Sequence, residues 1–193
     1  MEKYFRVILQ VATFLFITGH TGFGSVSGFE AGFLHPISGL DHILAMVSVG
    51  ILSAQLGGKS IWLIPLSFVS MMIVGASFGF FGMAIPFVEY AIMGSVVVLG
   101  LAIAFGHKTP LSLAIILVGI SSIFHGNAHG LEMPNNISGI EYGLGFTVAT
   151  TFLHMTGILI NLFIHKTQKK VASRMIRVSG AAITVVGIVL FAI

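Results

Sequence analysis

Residues 60–83 read SIWLIPLSFVSMMIVGASFGFFGM and contain no charged side chain over 24 positions. A transmembrane helix needs about 17–25 predominantly apolar residues, so this stretch is long enough to cross a bilayer. The whole chain of 193 residues has the same character, with 8% charged residues, 56% hydrophobic residues and no cysteine. Such a composition excludes a water-soluble globule, a disordered chain and a disulfide scaffold. The sequence therefore predicts a polytopic membrane protein.

Further apolar stretches are typical of membrane spans, and they lie at residues 34–56, 90–106, 111–124 (continuing toward Glu132), 142–164 and 178–193. Together with residues 60–83 they predict an all-α fold of six transmembrane helices. A shorter apolar run at residues 7–17, preceded by Lys3 and Arg6, is typical of a signal peptide or an additional N-terminal anchor helix. We expect residues 1–19 to form that segment and residues 20–193 to form the six-helix domain.

The basic residues lie in alternate connections between the predicted spans. After residue 30 they are Lys59, Lys108, Lys166, Lys169, Lys170, Arg174 and Arg177. The other connections contain Glu89, Glu132 and Glu141 and neither lysine nor arginine. The positive-inside rule then places the basic loops in the cytoplasm and residues 20–34 outside. The formal net charge of +3 is thus explained by topology and does not indicate a nucleic-acid partner.

Glycines recur four residues apart at Gly75 and Gly79 and at Gly126 and Gly130. Inside spans this spacing lets helices approach closely. The glycines at positions 24, 28 and 32 have the same spacing, but they precede the first span, and we expect a flexible connection there.

The first span begins with a polar motif, HPISGLDH at residues 35–42. Pro36 suits a helix start, where its missing N–H costs nothing. His35 and His42 are seven residues apart, which predicts that they share one face of a single helix. An aspartate inside a span costs about 2.5–3.5 kcal/mol on insertion scales, so Asp41 needs a partner, water or an ion.

The fourth span ends with a second polar motif, FHGNAHGLE at residues 124–132. His125 and His129 are four residues apart and Glu132 follows three later, so all three share a face. By the expected topology both motifs lie in the outer half of the membrane, which predicts one shared site. Imidazole and carboxylate together suit a borderline divalent ion such as nickel, cobalt or zinc.

Other polar residues have two interpretations each. Glu89 is either an anion favoured at a helix N-terminus or a ligand in the vestibule. His154 is either a packing histidine or a midway stop for the ion. His20 becomes the N-terminus if cleavage precedes it, which adds an amine and an imidazole at the entrance. His107 and His165 adjoin basic loops and are interpreted as interfacial.

The two polar motifs resemble the signatures of the HupE/UreJ family, bacterial nickel and cobalt permeases often associated with hydrogenase or urease. The resemblance extends over nearly the whole chain. It implies secondary, ATP-independent uptake of Ni²⁺ or Co²⁺ across the inner (plasma) membrane, with no prosthetic group, no enzymatic activity and a functional link to hydrogenase or urease maturation. It implies a metal role for His35, Asp41, His42, His125, His129 and Glu132, to which position adds Glu89.

Two other functions fit the same residues. In a membrane metalloenzyme, bound zinc or iron would activate water. In a proton-conducting subunit, Asp41 and the histidines would pass protons without binding metal. The chain contains no H-E-x-x-H motif, no Walker A motif and no G-x-S-x-G motif. The six ionisable residues of the two motifs, together with the family resemblance, favour a metal transporter with the lipid bilayer and a divalent ion as its partners.

Overall fold

The structure, a computed structural model, describes residues 27–106, 109–166 and 168–192. In these residues it contains seven α-helices and no strand: α1 (Gly28–Ser38), α2 (Leu40–Leu56), α3 (Ser60–Phe80), α4 (Val88–Phe105), α5 (Leu111–Glu132), α6 (Gly139–Ile164) and α7 (Lys169–Ala192). Helices α3 to α7 are each long and apolar enough to cross a membrane, and the bent pair α1–α2 makes a sixth span if it is counted as one. The predicted all-α polytopic fold is confirmed. Residues 1–19 and His20 lie outside the described residues.

The surface of the bundle is apolar and much of its interior is polar. Trp62 and Phe163 are 69% and 71% exposed, whereas Asp41, His125 and Asn161 are buried. Soluble proteins rarely expose contiguous apolar surface on this scale. Such a surface is stable in lipid hydrocarbon, because apolar side chains form no hydrogen bonds and the hydrocarbon provides none.

The stretch expected to be one straight helix, residues 34–56, is broken at Gly39. Helices α1 and α2 meet there at an angle of 83°, and Pro36 lies inside α1 instead of at a helix start. Gly39 has extended backbone angles and caps both helices. A Cβ atom at this position would lie 2.8 Å from Oδ1 of Asp41 and 3.0 Å from Nδ1 of His42. The missing side chain therefore leaves room for these two residues at the break.

Helix α1 also begins earlier than expected, so the glycine segment expected to be a connection is helical from Gly28 onward. The hydroxyl of Ser27 accepts a hydrogen bond from the backbone N–H of Glu30 at 3.3 Å, which is a typical N-cap. At Gly32 a Cβ atom would overlap the backbone carbonyl of Tyr142. Close contact with α6 thus fixes α1 across the end of the bundle.

The predicted close approach of glycine-bearing helices is confirmed between α3 and α5. A Cβ atom at Gly75 would overlap the carbonyl oxygen of Ile123, and one at Gly126 would overlap the carbonyl oxygen of Met72. Since glycine stripes of both helices face the partner backbone, α5 is held against α3 along the turns that carry His125 and His129.

Because consecutive spans alternate in direction, the described basic residues gather at one end of the bundle, here called the basic end: Lys59, Lys166, Lys169, Lys170, Arg174 and Arg177. The last helix begins at Lys169, before the predicted span at residues 178–193. Nε of Arg177 donates a hydrogen bond to the carbonyl of Ala104 at 2.9 Å. The opposite end contains the α1–α2 break and is called the histidine end.

Candidate metal site

Four imidazole rings form a continuous row where the α1–α2 break meets the end of α5. The ring centroids are 4.5 Å apart for His35 and His129, 4.7 Å for His129 and His42, and 5.2 Å for His42 and His125. We call these four residues the histidine row. His35 is partly exposed and His125 is fully buried, so the row leads from the surface of the bundle into its interior.

The exposed end of the row is a group of three side chains with metal-ligand atoms. Nε2 of His35 lies 3.2 Å from Oε2 of Glu132. Ligand atoms of His35, His129 and Glu132 all lie within 4.8 Å of one another. His129 and Glu132 are three residues apart in the last turns of α5, so they lie on the same face. The break at Gly39 turns His35 toward them. This group could hold a divalent ion at the mouth of the row.

The deeper half of the row has rings in fixed orientations. Nδ1 of His42 donates to Oδ1 of Asp41 at 2.9 Å, and Nδ1 of His125 donates to the carbonyl of Ser121 at 2.9 Å. In each neutral ring the lone pair then lies on Nε2. Both Nε2 atoms are buried and have no hydrogen-bond partner among the described residues. Metal-binding histidines are typically held in this way, with one nitrogen bonded to the protein and the other turned to the ion.

His129 connects the two halves of the row. It is 1% exposed, and neither ring nitrogen has a hydrogen-bond partner in the described part of the chain. The ring of Phe146 lies 4.1 Å away between centroids and covers one side of the imidazole. A buried imidazole with two unpaired nitrogens is unfavourable unless it binds something, because burial removes its water without replacing it.

The structure brings together all six residues of the two motifs. Their role as metal ligands stays a prediction, as does the role of Glu89. Glu89 is exposed in the first turn of α4, and both it and Glu132 are close enough to His42 to interact electrostatically. His165 is exposed at the basic end of α6, in line with its interpretation as interfacial, whereas His107 and His20 lie outside the described residues.

Several neighbours of the row were not predicted. On α6, Tyr142 lies 6.0 Å from His35 between ring centroids, and Phe146 covers His129. Tyr142, Phe146 and His154 are spaced by four and eight residues, so they lie on one face of α6. This spacing is visible in the sequence and indicates that the three side chains face the same region. The Phe68 ring lies against His125, and no spacing within α3 indicates that contact.

Asn127, between the two histidines of α5, holds the connection from α3 to α4. Its side-chain oxygen accepts from the N–H of Ile85 at 2.9 Å, and its amide nitrogen donates to the carbonyl of Met83 at 2.8 Å. The same turn of α5 therefore carries the row and positions the segment that leads to Glu89. Asparagine in an apolar span was a signal that the sequence offered, though the spacing does not identify its partners.

The fold and the histidine row define a multi-pass α-helical membrane protein with a row of four imidazoles leading into its interior. The family model described as HupE / UreJ protein matches residues 8–190. The chain belongs to the HupE/UreJ family, a family of metal transporters associated with nickel and cobalt uptake. It is 46% identical over 161 residues to Protein HupE of Rhizobium leguminosarum bv. viciae. The aligned residues cover 83% of this chain and 82% of that relative. No solved structure matches the chain.

Proposed function

We propose that this chain is a secondary, ATP-independent transporter that takes up Ni²⁺, and also Co²⁺, across a bacterial inner (plasma) membrane. One observation carries the proposal. His42 and His125 each use Nδ1 in a hydrogen bond to a protein oxygen, and their Nε2 atoms are buried and have no hydrogen-bond partner within the described ranges. Membership of a metal transporter family supports it. Residues 1–19 serve as signal peptide or anchor, and residues 20–193 form the permease domain.

The ion enters at the histidine end. Glu89 and Glu132 attract the hydrated cation, and His20 extends this entrance if it is the mature N-terminus. His35, His129 and Glu132 then replace part of its water, since their ligand atoms converge. Binding at each step has to remain weak enough for release, as in any conduction pathway.

From the mouth the ion passes to His42 and His125. Asp41 lies beside His42 and contributes a buried negative charge there. Because imidazole and carboxylate are borderline and hard ligands respectively, the row suits nickel or cobalt better than a soft ion such as Cu(I). The absence of cysteine from the sequence agrees with that choice.

In the orientation we propose, the basic end faces the cytoplasm and the histidine end faces outside, following the positive-inside rule. Nickel delivered at the cytoplasmic side would be available for hydrogenase or urease maturation. The lipid bilayer is the surrounding partner, and nucleic acid has no place in this function.

The decisive test is uptake of radioactive nickel by proteoliposomes that contain only this protein, measured with and without a pH gradient. We expect uptake above that of empty liposomes, and its loss in His129→Ala, which removes the residue that connects the two halves of the row. A matched control is His165→Ala, exposed at the basic end. Proton flux without any nickel uptake or binding would replace this proposal by the proton-conducting function.

A further inference from the structure

A fifth buried histidine lies beyond the histidine row. His154, on α6, is 1% exposed, and neither of its ring nitrogens has a hydrogen-bond partner among the described residues. A histidine that only fills space would be better replaced by leucine or phenylalanine, because burying unpaired polar atoms opposes folding. The two bare nitrogens are therefore the feature that needs an explanation.

Phe68 contacts both His154 and the row. Its ring centroid is 5.6 Å from that of His125 and 5.0 Å from that of His154, and the Phe68 side chain is fully buried. His154 and the last imidazole of the row thus pack against the same aromatic ring. It does not belong to the three-residue group at the mouth.

Unpaired oxygens continue from His154 toward the basic end. Asn161 follows seven residues later, about 10 Å further along the same face of α6. Its amide nitrogen donates to the carbonyl of Ile51 at 3.1 Å, and that of Gln55 donates to the carbonyl of Ile103 at 3.0 Å. In both side chains the oxygen is left buried and without a donor in the described residues. Such oxygens favour a passing cation or its water.

We infer that His154 is a second, deeper binding position for the divalent ion, separate from the histidine row and located between it and the basic end. This inference rests on the proposed transport function and adds to it the position from which the ion leaves the row. The Phe68 ring contacts both positions, and the oxygens of Asn161 and Gln55 accept the ion as it moves on.

The test compares nickel binding with nickel flux in His154→Leu. Leucine fills the space without offering a ligand, and it removes two unpaired polar atoms, so the variant should unfold at the wild-type temperature or above. Binding of radioactive nickel to the detergent-solubilised protein should keep the wild-type affinity, because the mouth and the row are intact. Uptake by proteoliposomes should fall at least roughly tenfold, as for a lost metal-binding contribution. His165→Leu, at the C-cap of the same helix, is the matched control.

Two results would overturn the inference. If His154→Leu took up nickel at the wild-type rate, His154 would only fill space in the core. Loss of binding together with uptake, at an unchanged unfolding temperature, would assign His154 to the row itself. If His154→Leu folds poorly, His154→Phe carries the same comparison with a ring of similar size. Failure of the proposed function is recognised separately, since the wild-type protein would then neither bind nickel nor transport it.

Discussion

Asp41→Asn isolates the charge of one buried carboxylate from its geometry. The asparagine oxygen can still accept the hydrogen bond that Nδ1 of His42 donates to Oδ1 at 2.9 Å, so the ring keeps its orientation. What disappears is a negative charge that is only 6% exposed to solvent. Any loss of nickel affinity therefore reports electrostatic attraction to the ion.

The structure gives the size of that attraction. With a metal–imidazole bond of about 2.1 Å, an ion on Nε2 of His42 would lie about 7 Å from the carboxylate oxygen. At an effective dielectric constant of about 20 a unit charge and a divalent ion attract by about 5 kcal/mol at that distance, which is an upper bound. Losing an outer carboxylate behind a metal-binding histidine typically lowers affinity by about 10- to 100-fold. We expect the nickel Kd of Asp41→Asn to rise at least about tenfold.

Equilibrium binding of radioactive nickel to the detergent-solubilised protein measures this Kd, with thermal unfolding as a check on the fold. Glu30→Gln is the matched control, because it removes a carboxylate from the exposed first turn of α1 at the same end of the bundle. An unchanged Kd for folded Asp41→Asn would refute the argument that Asp41 acts through its charge. A loss of equal size in Glu30→Gln would show a general surface effect instead.

Three further predictions concern packing, the entrance and pH. Gly126→Val should lower the free energy of unfolding by about 1–3 kcal/mol or more, because its Cβ would overlap the carbonyl of Met72. Gly143→Ala should leave the free energy of unfolding unchanged, because the space around Gly143 is open. Thermal unfolding compares the two variants. Asn127→Ala removes the two hydrogen bonds that hold the connection before α4. Hydrogen exchange at residues 81–87 should become faster and nickel uptake should fall. Unchanged exchange would contradict the role given to these two hydrogen bonds. Uptake should fall as external pH drops from about 7.5 to 5.5, because a protonated imidazole cannot bind metal. A flat profile would argue against imidazole ligands.

Most of the fold was predictable because hydropathy reports membrane spans directly. Residues 60–83 contain the helix observed as Ser60–Phe80, and residues 111–132 form one helix as expected. The break at Gly39 was not predictable in the same way. The apolar run continues through it, and the contact that fixes α1, Gly32 against the carbonyl of Tyr142, joins residues far apart in the sequence.

The composition of the site was predictable, but its pairings were not. Helical spacing places His129 and Glu132 on one face, yet it cannot say which residue of the first span meets them. On a straight helix, seven residues separate His35 and His42 by about 10 Å along the axis. The observed rings are 6.2 Å apart between centroids. The bend thus brings His35 back over the row, where it meets His129 while His42 reaches the deeper His125.

The distribution of ligands along the row argues for passage of an ion over permanent binding. A resident structural metal is held by about four ligands that converge on one point. Among the described residues, only His35, His129 and Glu132 come within 4.8 Å of one another as a group of three. His42 and His125 follow as successive neighbours, each with one bare nitrogen, so an ion leaving the mouth finds the next ligand at every step. Because no position in the described part of the chain gathers a complete shell, the arrangement favours release of a bound ion over its retention. A variant that gathered four ligands at the mouth should bind nickel more tightly and transport it more slowly.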